Sequence, residues 1–460
     1  MTSVPFPSFV NDVPVSDGRL GMSAVGRCRI CPKDNLEEIV AKNVEQALID
    51  TDLEDKDKKD EAKKLKKKYM KEGVAMAKKL LNETLKLDPS VVNIEIVISA
   101  EAILTSDGCV AACFLDAGCD KVCIPSVKNA LEVAKVPRER LVALLPNDST
   151  QEQILAAAEW SSVISMPATE DLTLDSVVAL LHSTGLETQE EKDFQVVISI
   201  PSSDTIPELI GSISKHCKDG HGGFCLEDPS PEQLGMSYAA CMRTDRPDGL
   251  YTTVVCTRSG EALGLVYSSK ESVVAALACA RGVYYSRSRK GLWRKGDTSG
   301  HYQILHRLDV DCDGDALRFT VTQRGDADEA AFCHLHTLTC WGPPRGVRHL
   351  EGTLSQRLKN APEGSYTKRL FDDEALLRDK LVEEAQELSE ATEKSDVAGE
   401  LADVIYFAMV RAVKAGVSID DAVAELDLRT RKVTRRKGDS KAFRIQAGNE
   451  ILNKNKDSDM

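Results

Sequence analysis

Aromatic side chains are scarce: Phe, Tyr and Trp make up 5% of 460 residues, with three tryptophans. That removes the stacking surfaces on which single-strand nucleic-acid binders rely. Positive charge is short as well, 59 Lys and Arg against 73 Asp and Glu, a formal charge of −14. Nucleic acid and acidic membrane surfaces are thereby excluded as general partners, and a local basic pocket stays open. No run approaches the roughly 18 apolar residues of a membrane helix. The opening MTSVPFPSFVNDVPVSDGRLGMSAV lacks a basic start followed by an apolar core, so no secretory leader is read. Asp12 and Asp17 suit a transit segment poorly. The expected compartment is the cytoplasm, with an organelle as the alternative. Neither GxGxxG nor a P-loop occurs at any strand–helix junction, so the architecture by itself suggests no nucleotide site.

What is present is an ordinary globular composition, 42% apolar and 29% charged, and a length that predicts two or three domains. The 14 cysteines, without a leader, read as free thiols or metal ligands rather than disulfides. Residues 1–91 predict an arm with a charged helix at 52–79, read as a solvated face rather than a partner-binding one. From 92 to 244, VNIEIVISA, KVCIP, LVALLP, SSVISMP and FQVVISIP read as buried strands. NALEVAKV, EQILAAAEW, LDSVVALLHS and IPELIGSISKHC read as helices between them. Such alternation predicts a parallel sheet covered by helices. RTDRPDGL marks a boundary, after which YTTVVCTRSGEALGLVYSS predicts a hairpin turning at Arg258-Ser259-Gly260. From about 350 to 435 apolar residues recur at spacings of three and four, a helical pattern. The expected fold is multidomain α/β plus α: an α/β parallel-sheet region, an α+β domain at 245–345, an all-α domain at 350–440 and a tail at 441–460.

LDVDCDGDALRF (308–319) resembles the start of a calcium loop, but position 12, which must be Glu, is Thr320. Downstream, FCHLHTLTC places Cys333 and Cys340 seven apart. With Cys312 they could give zinc three thiolates and leave a fourth position open. On a strand, Asp311, Asp313 and Asp315 would share the face opposite Cys312 and could hold Mg²⁺. The competing reading makes the cysteines small buried hydrophobes and the aspartates a solvated edge. Upstream, YYSRSRKGLWRKGDTSG gathers Arg287, Arg289, Lys290, Arg294 and Lys295 around Trp293 and ends in the turn Thr298-Ser299-Gly300. Basic groups and turn N–H groups suit a phosphate, and an indole suits a purine. A basic surface loop is the plainer alternative.

These three motifs in order resemble the phosphoribosyl-AMP cyclohydrolase family over roughly 245–342. The resemblance implies zinc at Cys312, Cys333 and Cys340, magnesium at Asp311, Asp313 and Asp315, and a homodimer that shares its active sites. It also implies substrate contacts from Arg287, Arg289, Trp293, Lys295, Thr298 and Ser299. Zinc-activated water would attack C6 of the purine and open the N1–C6 bond, with His334 as candidate for the proton transfers or as support to a ligand. Two departures stand out. Bacterial members usually read C-H-T-G-x-x-S-C where this chain has C-H-L-H-T-L-T-C, and GDADEAA lengthens the separation between the aspartate and cysteine motifs.

In KLVEEAQELSE and VAGELADVIYF, Glu384/Glu387 and Glu400/Asp403 are i,i+3 pairs, each on one helix face. Folded as a hairpin these helices would gather Glu383, Glu384, Glu387, Glu400 and Asp403, whose repulsion calls for cations. Solvated acidic faces are the commoner meaning of such runs. EExxE, twelve residues, then ExxD, preceded by RLKNAPEGSYTKRLF, resembles phosphoribosyl-ATP pyrophosphohydrolase over roughly 350–440. That implies Mg²⁺-assisted hydrolysis of the triphosphate, with Glu383, Glu384 and Glu387 in catalysis and Lys368, Arg369 and Lys380 on phosphates. Phosphoribosyl-ATP and phosphoribosyl-AMP are then consecutive substrates. The order of modules resembles the fungal multifunctional histidine-biosynthesis family, with a histidinol dehydrogenase domain expected to be absent because the sequence ends at Met460. Alternatives are a nucleotide pyrophosphohydrolase with an inactive cyclohydrolase-like module, and a non-enzymatic metal-binding regulator. Cys28-Arg-Ile-Cys31 is a lone C-x-x-C, and Cys109/Cys113 and Cys119/Cys123 lie in apolar sequence where burial is the natural reading.

Overall fold

Strands that are apolar on both faces leave no edge suited to water, and here they close on one another. The computed structural model describes residues 27–31, 56–85, 92–106, 108–125, 136–168, 194–201, 222–311, 314–325, 330–434 and 442–458. Strands β1 (Arg27–Ile30), β2 (Asn93–Val97), β3 (Lys121–Pro125), β4 (Leu141–Leu144), β5 (Val163–Pro167), β6 (Gln195–Pro201) and β7 (Gly222–Glu227) form a closed parallel barrel in sequence order. Closure sets Cys28 opposite Leu226 and Arg29 opposite Glu227. Cys123, Val142, Val163, Val197 and Cys225 make one cluster, on the barrel's inner side. Ile94, Ile96, Val122 and Ile124 belong to a second cluster with Leu81 of α1 (Lys56–Leu85) and Phe114 of α3, which follows the short α2 (Ala100–Thr105) and spans Cys109–Ala117. The expected boundary at 91/92 is crossed, because RCRI pairs along β2 and belongs to the barrel. NALEVAKV lies outside the described residues except for Val136, and LDSVVALLHS and IPELIGSISKHC lie wholly outside them.

Local chemistry sets the helix starts. Thr150 and Gln153 form a capping box on α4 (Gln151–Ala158), and Ser230 and Gln233 do so on α5 (Pro231–Cys241), which has proline in its first turn. Helix α5 carries the chain onto α6 (Lys270–Cys279), where a Cβ added at Gly235 would lie 2.6 Å from Val274 Cα. Only glycine permits that approach. Around α6 lie β8 (Tyr251–Cys256), β9 (Ala262–Ser268), the hairpin β10 (Val283–Ser286) with β11 (Gly291–Arg294), and the hairpin β12 (Gln303–Val310) with β13 (Ala316–Gln323). The larger sheet runs β12-β13-β8-β9, with β13 parallel to β8. The predicted hairpin turn is present, with Gly260 at φ 88°. Tyr251, Leu305, Phe319 and Phe332 share the cluster that contains Ile94 and Phe114, so one core runs from the barrel into this module.

The third module is helical: α7 (Gly346–Asn360), α8 (Tyr366–Asp372), α9 (Glu374–Glu390), α10 (Lys394–Lys414) and α11 (Ile419–Arg431), with α12 (Ala442–Ser458) against α9. Leu354, Leu370, Phe371, Leu377, Phe407, Met409, Val410 and Val413 form its core. Among the described residues no helix is long and apolar enough to cross a membrane.

Arg348 joins this module to the β-rich one. Its guanidinium lies 2.6 Å from Glu351, 2.6 Å from Asp420 and 2.8 Å from Ser259 Oγ in the β8–β9 turn. The Ser259 N–H also donates to Asp420 at 2.8 Å. Truncating Arg348 strands two nearly buried carboxylates, a loss of about 3 kcal/mol. Arg348→Ala is therefore expected to lower the unfolding midpoint and speed proteolysis at the Pro343-Pro344 joint, read by scanning calorimetry and limited digestion. An unchanged digestion rate would show that the joint does not depend on this residue.

Candidate active sites

The thiol site is built on a segment without regular structure, which makes every hydrogen bond in it informative. Cys340 N–H donates to Leu263 O at 2.7 Å, fastening the segment to β9. Cys333 N–H donates to Thr337 O at 3.0 Å, and buried Thr339 gives its hydroxyl to Gly342 O at 2.8 Å. The result is a knuckle that brings the Cys333 and Cys340 thiols near each other. Burial, then the Cys333 thiol, push Cys340 up to about 11. Cys333 is lowered, first by the Leu335 N–H and then by Thr337 and Cys340. One thiol of the pair thus gives up its proton more readily than the other. Cys312, the expected third ligand, and Asp313 lie outside the described residues.

Gly264 makes room for this knuckle: a Cβ there would sit 2.3 Å from Phe332 Cε1 and 3.0 Å from Cys340 Sγ. Gly264→Ala is expected to cost about 1–3 kcal/mol by overpacking and to disturb the thiols while leaving the distant carboxylate site untouched. Thermal unfolding and titration of the Cys333 and Cys340 thiols check this. Equal stability and thiol reactivity in the variant would refute it.

Asp311 corrects one expectation. The expected strand face does not extend over them: β12 stops at Val310 and β13 starts at Ala316, so Asp311 and Asp315 lie outside both strands. Asp311 Oδ1 accepts the N–H groups of Gly314, Asp315 and Ala316 at 3.0–3.1 Å, and Gly314 takes φ 85°. A carboxylate that gathers three N–H groups stabilises a turn better than an extended run. All three of these bonds fall on one oxygen of Asp311, and Asp315 is exposed. Asp309 is held by Arg307 at 2.6 Å and Arg318 at 2.9 Å.

The basic stretch forms the β10–β11 hairpin, which periodicity did not reveal. Arg287 and Arg289 are exposed at its turn, Arg287 resting 4.1 Å above the Tyr267 ring, and Thr298 and Ser299 are exposed in the turn that follows. Trp293 is half-buried, tilted against Tyr284 at 6.0 Å. Lys295 is buried, its ammonium 5.7 Å from the Trp293 ring and 5.5 Å from that of Phe332. Burial lowers its pKa against the opposing pull of the Cys340 and Cys333 thiols. His334 is exposed, with Nδ1 3.8 Å from Cys333 Sγ.

The second site lies where α9 packs along α10. One carboxylate oxygen from each of Glu384, Glu387 and Glu400 falls within 4.8 Å of the others. Glu384 is buried, and Glu400 Oε2 is buried without a hydrogen-bond partner among the described residues. Burial, then the charges of Glu384, Glu400 and Glu383, raise Glu387. An orphaned oxygen among mutually repelling carboxylates fits a hard divalent cation. Lys380 reaches Glu384 at 2.6 Å and Glu383 at 3.1 Å. Burial pulls Lys380 down, but those two carboxylates outweigh it and hold it charged. Asp403 is exposed and outside the converging trio, Lys368 pairs with Asp372 at 3.5 Å, and Arg369 is exposed. Sequence reasoning missed Tyr366, which packs edge-on to Phe407 at 6.4 Å; burial raises its phenol, with Lys380 opposing and Glu384 and Glu383 adding. Nothing in GSYTKRL marks that tyrosine.

Two separate ligand-rich centres lie on one chain, one of thiols and one of carboxylates. The phosphoribosyl-AMP cyclohydrolase family model matches residues 264–342, and the phosphoribosyl-ATP pyrophosphohydrolase model matches 347–430. The chain is 40% identical over 367 residues to the histidine biosynthesis bifunctional protein his7 of Schizosaccharomyces pombe, covering 76% of this chain and 83% of that protein. It is 32% identical over 201 residues to the bifunctional protein HisIE of Thermus thermophilus, covering 41% and 91%. With the trifunctional protein of Komagataella pastoris it shares 55% over 202 residues, 44% of this chain and 23% of that one. The chain thus spans about a quarter of the length of the trifunctional relatives. It belongs to the histidine-biosynthesis bifunctional family, with one cyclohydrolase and one pyrophosphohydrolase domain.

Proposed function

We propose that the chain hydrolyses phosphoribosyl-ATP to phosphoribosyl-AMP and pyrophosphate at the α9–α10 carboxylates, then opens the purine ring at N1–C6 at the thiol knuckle. The observation that carries this reading is that each matched region encloses its own ligand cluster, Cys333 with Cys340 in one and Glu384, Glu387 and Glu400 in the other. Soft thiolates suit zinc, and Cys312 would complete the set. Oxygen donors suit Mg²⁺ at the helices, with Asp403 nearby, and a further Mg²⁺ at Asp311, Asp313 and Asp315 would use the oxygen that Asp311 does not spend on the turn. When bound, zinc supplies an activated water and Mg²⁺ neutralises phosphate charge.

The chain's own groups do the rest. Lys295, screened between Trp293 and Phe332, holds a cation beside the thiols, and Arg287 and Arg289 are exposed at the hairpin turn, where a phosphate could meet them. Lys380 balances Glu383 and Glu384 until a cation arrives, and is then available to a phosphate oxygen together with Lys368 and Arg369. Exposed Leu335 and Trp341, 70% and 64% accessible beside the knuckle, support a second copy of the chain covering that site. The test is a two-step assay with phosphoribosyl-ATP, following pyrophosphate and ring-opened product. Both are expected, and the absence of either would sink the corresponding half of the reading.

A further inference from the structure

Among the described residues, four that are not glycine take positive φ: Asp228, Ala280, Lys290 and His336. Ala280 ends a helix and Lys290 turns a two-strand hairpin, and Asp228 accepts the Cys31 N–H at 2.9 Å. His336, at φ 59°, has less to justify it. It closes the turn in which its N–H donates to Cys333 O at 3.1 Å, a position glycine would fill without opposition from a Cβ. Its ring is exposed, so burial does not offset the strain. What the ring does meet is His301, edge-on at 5.9 Å. His301 follows the Thr298-Ser299-Gly300 turn, and its Nδ1 faces the Ala331 N–H at 3.4 Å. The two imidazoles therefore join the thiol knuckle, which holds His336, to the turn that precedes His301. Strain kept at an exposed imidazole beside such a site points to work done on a ligand.

We propose that His336, braced by His301, is a further substrate-contacting residue of the cyclohydrolase site. It hydrogen-bonds the purine as its ring opens. The inference rests on the function proposed above. An imidazole offers a donor on one nitrogen and an acceptor on the other, which suits a ring whose opening turns C6 into a carboxamide and frees N1. No bond is made or broken at His336 itself.

The left-handed backbone supplies an unusual control. His336→Gly removes the imidazole while relieving the strain, whereas His336→Ala removes it and keeps the strain. In the full chain, His336→Gly is expected to unfold at the same temperature as the unaltered protein or higher, to retain its zinc, and to release pyrophosphate from phosphoribosyl-ATP at the same rate. Its kcat on phosphoribosyl-AMP is expected to fall about tenfold or more with KM little changed, as for a contact made in the transition state. His336→Asn, which tolerates the same backbone and keeps a donor and an acceptor, should recover part of the rate. Ring opening by His336→Gly at the rate of the unaltered protein would overturn the inference alone. Loss of zinc in that variant would overturn it in favour of a metal-retaining role. An unaltered chain inert toward phosphoribosyl-AMP would overturn the proposed function, and this inference with it.

Discussion

Replacing Cys340 by alanine is expected to leave pyrophosphate release from phosphoribosyl-ATP intact and to stop the reaction there, so that phosphoribosyl-AMP accumulates. The fold should survive, because the bonds that shape the knuckle are made by backbone and threonine groups: Cys340 N–H to Leu263 O, Cys333 N–H to Thr337 O, and the Thr339 hydroxyl to Gly342 O. Alanine keeps the first of these. What it removes is the sulfur whose charge bears on Cys333 and on the buried ammonium of Lys295. Losing groups that merely orient metal ligands costs about 10–100-fold, so losing a ligand should cost at least about 100-fold in ring opening. Chromatography of the phosphoribosyl-ATP reaction checks it, with metal analysis of the variant alongside. Undiminished flux to the ring-opened product would remove Cys340 from the site.

That Cys333 and Cys340 lie near each other was legible because thiols spaced by seven around histidines are an unusual pattern. The turn after β12 was not. Asp311, Asp313 and Asp315 at alternate positions predict one face of a strand, yet the N–H groups that Asp311 gathers are its own neighbours, and Gly314 supplies the positive φ. Alternation counts residues, and cannot weigh one carboxylate against three peptide groups. Barrel closure was hidden for a different reason. RCRI is a four-residue strand far from β2 in sequence, and GGFCLE opens on two glycines that carry no strand signal. Both join the barrel because neighbouring strands need partners for their N–H and C=O groups, a tertiary demand with no local trace. The acidic helices were the most readable part, since i,i+3 spacing fixes which carboxylates share a face. Which of those carboxylates meet across the helix pair depends on how α10 rotates against α9, and there Glu400 turns inward while Asp403 stays exposed.

Glu387→Gln is expected to do the reverse of Cys340→Ala, leaving phosphoribosyl-ATP unused while ring opening of supplied phosphoribosyl-AMP continues. Glu387 sits with Glu384 and Glu400 within 4.8 Å, and burial together with their charges raises its pKa. In metal-free protein glutamine relieves that repulsion, so the variant should be no less stable than the unaltered chain. Adding Mg²⁺ should separate them. Binding to the folded state alone stabilises by about 2.7 kcal/mol at a hundredfold excess over Kd, so the unaltered protein should gain thermal stability with Mg²⁺ and the variant much less. Pyrophosphate release should fall at least about 100-fold in the variant, because a lost ligand exceeds the loss of a group that only orients one. The pairing of a neutral or favourable effect without metal and a loss of metal-dependent gain is specific to a cation site. A merely solvated acidic face would show no Mg²⁺-dependent difference between the two proteins, and a variant that still released pyrophosphate at full rate would place the chemistry elsewhere.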